Sequence, residues 1–242
     1  MSGLGTGIAT VLATPSSANL ASALTDETGS GLVVFGTSPT LTTPVINSST
    51  ITNAMVAGIC QGRLSLTTAV PVTVADVTGA TTIYFVPYGG SSVATYNGTA
   101  WILSTFTERS LALGTLTSGI PYDVFIYDNS GTLTLELTAW TNDTTRATAL
   151  TTQDGVYVKT GALTRRYLGT LRTTSTTQTE DSFAKRFLWN YYNRVPRPMQ
   201  VTEATNSWPY TVATVRQANG STANQLDFVI GAAEVEVFAQ VL

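Results

Sequence analysis

The sequence predicts an all-β fold: an extended N-terminal arm followed by an antiparallel β-sandwich or barrel-like domain or domains. Three observations carry this. Only 11% of the 242 residues are charged, against roughly 25% in an ordinary globular chain, which removes the ion-paired faces that support long solvated helices. Threonine occupies 45 positions, and its β-branched side chain favours strands while keeping a surface soluble without charge. Short alternating runs recur, separated by the turn pairs Asn97-Gly98, Asp154-Gly155 and Asn219-Gly220.

The first 62 residues contain no Lys or Arg, and their only acids are Asp26 and Glu27. Large apolar side chains are too sparse here to offset the backbone entropy of a core. One short helix is expected, with Thr14 as N-cap, Pro15 in the first turn, and Ala18, Leu20, Ala21 and Leu24 along it. Residues 31–35, containing Leu32, Val33 and Phe35, read as a strand. The run from Ser38 to Ile46, containing Leu41, is extended because Pro39 and Pro44 forbid helix. An uncharged arm of this kind is ordered by packing on other chains, and Leu32, Val33, Phe35 and Leu41 are its candidate docking residues.

Beyond Cys60 the predicted strands are Arg63–Val74, Thr81–Tyr88, Ser92–Tyr96, Trp101–Phe106, Tyr122–Tyr127, Thr132–Trp140, Val156–Lys159 and Tyr167–Arg172. The run 132–138 alternates cleanly, with Leu133, Leu135 and Leu137 on one face and Thr134, Glu136 and Thr138 on the other. Residues 182–195 fit either period: Phe183, Phe187, Tyr191 and Val195 lie at helical spacing, Phe187, Trp189 and Tyr191 at strand spacing. Aromatic density and the following Pro196 and Pro198 tilt the reading to strand. Tyr210–Arg216, Leu226–Ile230 and Val235–Leu242 read as three more strands. The expected organisation is an arm over 1–60, a β-rich domain over 61–175, and a second β-rich, jelly-roll-like segment over 176–242.

Composition excludes several functions. With no histidine, no His-dependent triad, His metal site or imidazole shuttle is available. One cysteine, Cys60, leaves no intrachain disulfide. A net charge of -3 supplies no basic excess for nucleic acid, and no apolar run reaches the roughly 18 residues of a membrane span. The N-terminus lacks a basic leader, so synthesis in the cytoplasm is expected. Gly3-Leu4-Gly5-Thr6-Gly7 lacks phosphate-loop spacing. The acid pairs Asp123 with Asp128 and Glu180 with Asp181 are the carboxylates in reach of glycan hydrolysis, which needs two acids. The first pair faces opposite sides of a strand and the second reads as solvated, so neither is a predicted catalytic site. No enzyme, cofactor or metal is expected.

Arginine outnumbers lysine, which occurs only at 159 and 185. Its planar fork pairs with carboxylates and stacks on aromatic rings, and this marks Arg186, Trp189, Tyr191 and Arg194 as candidate subunit-contact residues, with core packing and sugar contact as open alternatives. Neutral Thr and Ser faces also suit a symmetric assembly, where equivalent charges near an axis repel.

The stretch from Gly5-Thr6-Gly7-Ile8-Ala9 to Thr37-Ser38-Pro39-Thr40-Leu41-Thr42-Thr43-Pro44 resembles the N-terminal arms of tailed-bacteriophage tail fibres and related virion proteins. Residues 111–125, 154–159, 165–170 and above all Arg186-Phe187-Leu188-Trp189-Asn190-Tyr191-Tyr192-Asn193-Arg194-Val195 are similar to a module recurring in phage structural proteins. The resemblance implies a homotrimeric virion component: a tail fibre or baseplate-attached fibre anchored by its arm, with a capsid decoration, cement or head-fibre protein and a host-glycan-binding module as alternatives. The implied partners are further copies of the chain, other virion proteins and, in the last alternative, a host surface glycan contacted by Trp101, Trp140, Trp189 or Trp208. Neither nucleic acid nor membrane is among them.

Overall fold

The computed structural model describes residues 7–23, 54–211 and 213–232, and the chain divides into two units, 1–49 and 50–242. In the first unit the described stretch forms two short helices, α1 (Ile8–Ala13) and α2 (Ser17–Ala23). α2 is the helix expected after Pro15, but its cap is Ser16, whose Oγ accepts the Asn19 N–H at 3.1 Å. Thr14 instead holds the Asn19 side chain. The extended run and its docking candidates Leu32, Val33, Phe35 and Leu41 lie outside the described residues, as does the C-terminal strand expected over 235–242.

The second unit opens with α3 (Ala54–Ala57) and continues in strands. These are β1 (Gly62–Ser65), β2 (Val77–Ala80), β3 (Thr82–Pro87), β4 (Ser92–Tyr96), β5 (Trp101–Thr105), β6 (Arg109–Ala112), β7 (Pro121–Asn129), β8 (Thr132–Ala139), β9 (Leu150–Gln153), β10 (Val156–Lys159), β11 (Ala162–Arg172), β12 (Thr179–Asp181), β13 (Lys185–Arg186), β14 (Leu188–Asn190) and β15 (Asp227–Phe228). The protein is mostly β and antiparallel; among the described pairings β13–β15 alone is parallel. One six-stranded sheet runs β8-β7-β11-β10-β9 with β14 also on β11, a three-stranded sheet runs β1-β3-β6, a four-stranded sheet runs β15-β13-β12-β2, and β4-β5 is a hairpin. No described helix is long and apolar enough to cross a membrane.

The main core lies between the three- and six-stranded sheets. Leu64, Ile83 and Phe85 pack with Val124, Ile126, Leu133, Leu135, Leu168 and Leu171, which places Leu133 and Leu135 on the inner face that their alternation predicts. The opposite face of the six-stranded sheet carries Phe125 and Tyr167, covered by Trp189 and Val229. Strand β11 serves both faces through a bulge between Tyr167 and Gly169. The extra residue brings Tyr167 and Thr170, three apart, onto one face beside Asp123. Gly169 sits where a Cβ would lie 2.1 Å from the Trp189 carbonyl oxygen, so glycine lets β14 approach.

Several expected strands are shorter or absent. The run expected over 63–74 stops at Ser65, whose hydroxyl donates to the Val70 carbonyl at 2.6 Å and accepts the Thr67 N–H, turning the chain before Pro71. The described residues between 210 and 216 form no strand: the Tyr210 hydroxyl reaches back to the carbonyls of Arg216 and Gln217. The strand expected over 226–230 shrinks to β15. The ambiguous stretch 182–195 is strand at β13 and β14 and then bends at 191–193. Strands on either side of residue 175 hydrogen-bond to one another, β14 to β11 and β12 to β2.

Candidate functional site

The aromatic-arginine-asparagine run, the most distinctive string in the sequence, ties the sheets together. Its four subunit-contact candidates occupy different settings. Arg186 is buried, its Nη1 3.0 Å from Asp181 Oδ1 while its Nε and Nη2 donate to the Pro198 carbonyl at 3.1 and 2.7 Å. Trp189 is buried against Tyr167 and Val229. Tyr191 is half-buried, edge-on to Tyr157 and Tyr192 at 5.3 and 4.9 Å. Arg194 is exposed, its guanidinium 5.7 Å from the Trp189 ring and 5.8 Å from Tyr191. Trp189, Tyr191 and Arg194 are thus brought together, whereas Arg186 is taken inside the chain because Asp181 neutralises it there.

The two asparagines of the run bind β1. Asn190 Oδ1 accepts the Leu64 N–H at 2.6 Å and Nδ2 donates to the Leu64 carbonyl at 3.1 Å. Asn193, held at φ 51, donates to the carbonyls of Cys60 and Gly62. A carboxamide carries one donor and one acceptor side, as a peptide group does, so Asn190 continues the ladder of one sheet onto the edge of another.

A second polar centre lies on the outer face of the six-stranded sheet. Asp123, 1% exposed, pairs with Arg146 at 2.7 Å and accepts from Thr170 Oγ1 at 2.8 Å, which in turn is 2.6 Å from the Tyr167 hydroxyl. Arg146 also donates to the Gly231 carbonyl and lies 4.3 Å from the centroid of the Trp140 ring. Burial, with the Asp123 charge beside it, pushes the Tyr167 phenol far above its ordinary range. A third centre is Arg166, fully buried, whose Nη1 bridges the carbonyls of Ala57 and Ala94 at 2.7 and 2.8 Å. Its guanidinium stacks 4.6 Å from the Tyr192 ring. Burial raises the nearby Cys60 thiol, against the pull of Arg166, and lifts the Tyr192 phenol to about 12. Cys60 is thus held as a neutral buried thiol.

The four acids of the two candidate pairs are engaged structurally. Asp123 is in the centre just described, and Asp128 accepts the Gly131 N–H in the hairpin turn at 2.7 Å. Glu180 meets Ser182 and Lys185, and Asp181 meets Arg186 and Arg197. Among the described residues no group of three or more Cys, Asp or Glu side chains is arranged to hold a metal. Of the tryptophans proposed for glycan contact, Trp101 and Trp189 are buried and Trp140 and Trp208 are half-buried.

Sequence reasoning missed Asp123–Arg146, Arg166 and Asn190–Leu64. A signal for the first existed: Asp123 interrupts the apolar strand 121–127, and a carboxylate there requires a buried cation. No comparable signal marks Arg166, since its partners are backbone carbonyls.

Large apolar side chains are exposed at several places among the described residues, two of which bear on assembly. β5 has an open edge among the described residues. The Phe106 N–H bonds Ser91 O, and the alternation of the β4–β5 register then turns the amides of Trp101, Leu103 and Thr105 away from β4. Ile102 and Leu103 are exposed beside that edge. The second place is the irregular run that follows Val195, where Tyr210 is 53% and Val215 102% exposed. Compared with known protein families, characterised proteins and solved structures, the chain matches none of them.

Proposed function

We propose that this chain is a structural component of a bacteriophage particle, a tail fibre or baseplate-attached fibre protein that works as a homotrimer anchored by its N-terminal arm. One observation carries the assembly reading: the uncharged β5 edge with exposed Ile102 and Leu103 beside it. An open, neutral strand edge is a template for pairing with another chain, and soluble monomers guard such edges with Lys, Pro or bulges. The phage assignment rests on the resemblance of the arm and of residues 186–195. The inward use of Asp123, Asp181, Arg166 and Arg186 fits a protein whose polar groups hold a shape, and the proposal assigns it no catalysis.

Immunogold electron microscopy of phage particles, using antibodies to the β-rich unit, tests this. Label on the tail or baseplate supports the proposal. Label on the capsid replaces it with the decoration or head-fibre alternative, and particles free of label overturn it.

A further inference from the structure

The sequence contains two Asn-Gly pairs, Asn97-Gly98 and Asn219-Gly220, and both asparagines are exposed. A glycine leaves the next backbone nitrogen unshielded by a Cβ, so that nitrogen can attack the Cγ of the asparagine before it. The rate depends on how the fold holds the two reacting groups, and it holds the two pairs differently.

At Asn97 both groups are ready. The side-chain Oδ1 accepts the N–H groups of Thr99 and Ala100 at 2.9 and 2.8 Å. When a nucleophile adds to Cγ, negative charge develops on this oxygen, and two aimed backbone N–H groups stabilise such an oxyanion. The attacking atom, the Gly98 nitrogen, donates to no described residue. A Cβ built on Gly98 would meet nothing within 4 Å, so nothing crowds it. The turn also demands this glycine, whose φ is 101.

At Asn219 both groups are withheld. The Gly220 N–H already donates to the Gln217 carbonyl at 3.0 Å, and the Asn219 Nδ2 donates to Thr205 Oγ1 at 3.3 Å. No described N–H group donates to its Oδ1. Asn142 is the complementary case. Its Oδ1 accepts the N–H groups of Thr144 and Thr145, each at 2.9 Å. The next residue, however, is Asp143, whose side chain crowds the nitrogen and whose charge opposes loss of its proton.

We propose that Asn97 is a site of spontaneous deamidation, and that the fold protects Asn219 and Asn142 from it. Hydroxide removes the Gly98 amide proton, and the nitrogen bonds to Asn97 Cγ. The Cγ–Nδ2 bond breaks, and Nδ2 leaves as ammonia with a proton taken from water, giving a cyclic imide. Water then opens the imide at either carbonyl, to aspartate or to isoaspartate. Both products put a carboxylate at the tip of the β4–β5 hairpin. Isoaspartate also lengthens the backbone where the Asn97 N–H bonds the Ala100 carbonyl at 3.0 Å. Where the β5 edge pairs with another copy, a charge at this tip opposes the pairing. That consequence rests on the assembly proposed above; the modification itself does not.

Peptide mapping by mass spectrometry, over a time course of the purified full chain in mildly alkaline buffer, tests this. The peptide containing Asn97 is expected to gain the mass difference between an amide and an acid and to split into two chromatographic forms. Its conversion is expected to be about tenfold faster than that of the peptide containing Asn219, the rate counterpart of one hydrogen bond. The peptide containing Asn142 is expected to lag behind in the same way. In concentrated urea, which removes both turns, the rates at 97 and 219 are expected to converge. Equal rates in the folded chain, a faster Asn219, or conversion at Asn142 matching that at Asn97 each overturn the inference. A difference between 97 and 219 that persists in urea overturns it too, because local sequence would then set the rates.

Discussion

The side chain of Asn190 makes both of its hydrogen bonds to one residue, Leu64, accepting its N–H at 2.6 Å and donating to its carbonyl at 3.1 Å. The six-stranded sheet is thereby joined to the three-stranded sheet through one carboxamide, in a setting where both Leu64 groups are buried. Asn190→Ala strands a buried donor and a buried acceptor, each worth about 1–3 kcal/mol when left unpaired, so a loss of about 2–6 kcal/mol is expected. Asn190→Asp keeps the acceptor but loses the donor, and is expected to cost no less than the loss of one bond. Urea denaturation measures both, and a loss below about 1 kcal/mol for Asn190→Ala contradicts the join.

Asp123 anchors the last described segment through Arg146 and Gly231. Asp123→Asn removes the charge that holds Arg146, and breaking a buried pair costs about 3–5 kcal/mol; the low end applies because Arg146 keeps some exposure. The effect reaches residues 229–232. The Val229 N–H, which bonds the Arg186 carbonyl at 3.0 Å, is expected to exchange faster with deuterium in the variant. Unchanged exchange at Val229 would show that Arg146 does not hold this segment.

Glu136 sits between Lys159 at 2.6 Å and Arg165 at 3.2 Å. Partial burial pushes its pKa up, but the hydrogen bonds from the two cations outweigh this and leave it below the ordinary value. A depressed folded pKa means the pair contributes stability above the unfolded value, about 4.3, and loses it as pH falls through the folded one. Stability of the parent should therefore decline on acidification through this window more than that of Glu136→Gln. The difference should be modest and should shrink in salt, because the groups are partly exposed. Parallel acid limbs for the two proteins, measured by urea denaturation from pH 7 to pH 3, would refute the assignment.

Leu103 lies on the open edge of β5. Leu103→Lys places a charge where a neighbouring strand would pair, the device natural edges use against association. Thermal stability is expected to stay within about 0.5 kcal/mol of the parent, as for other exposed substitutions, while self-association weakens. Sedimentation velocity across a concentration series reports the second effect, and unchanged association removes β5 from the interface.

The strands most legible in the sequence were those whose turns and alternation agree. Asp128 to Gly131 places β7 against β8, and Asp154-Gly155 places β9 against β10, each with two consecutive residues at positive φ. The face assignment of Leu133 and Leu135 followed from period two alone. Strands β2, β6, β12 and β13 were not legible, because two to four residues are too few to set a period. The site was legible only in part. The run 186–195 stood out as a string, but nothing local says that Asn190 meets Leu64, a contact across 126 positions. Arg186 drew attention as a surface contact because its neutralising Asp181 lies in the strand opposite, a register that only the folded sheet fixes.

The central claim is that the chain holds a shape as one of several identical copies, and its mass in solution tests that most directly. Light scattering on the purified full chain is expected to give a homotrimer, three times the 25.5 kDa of one chain. A mass of 25.5 kDa that persists up to high protein concentration would contradict it.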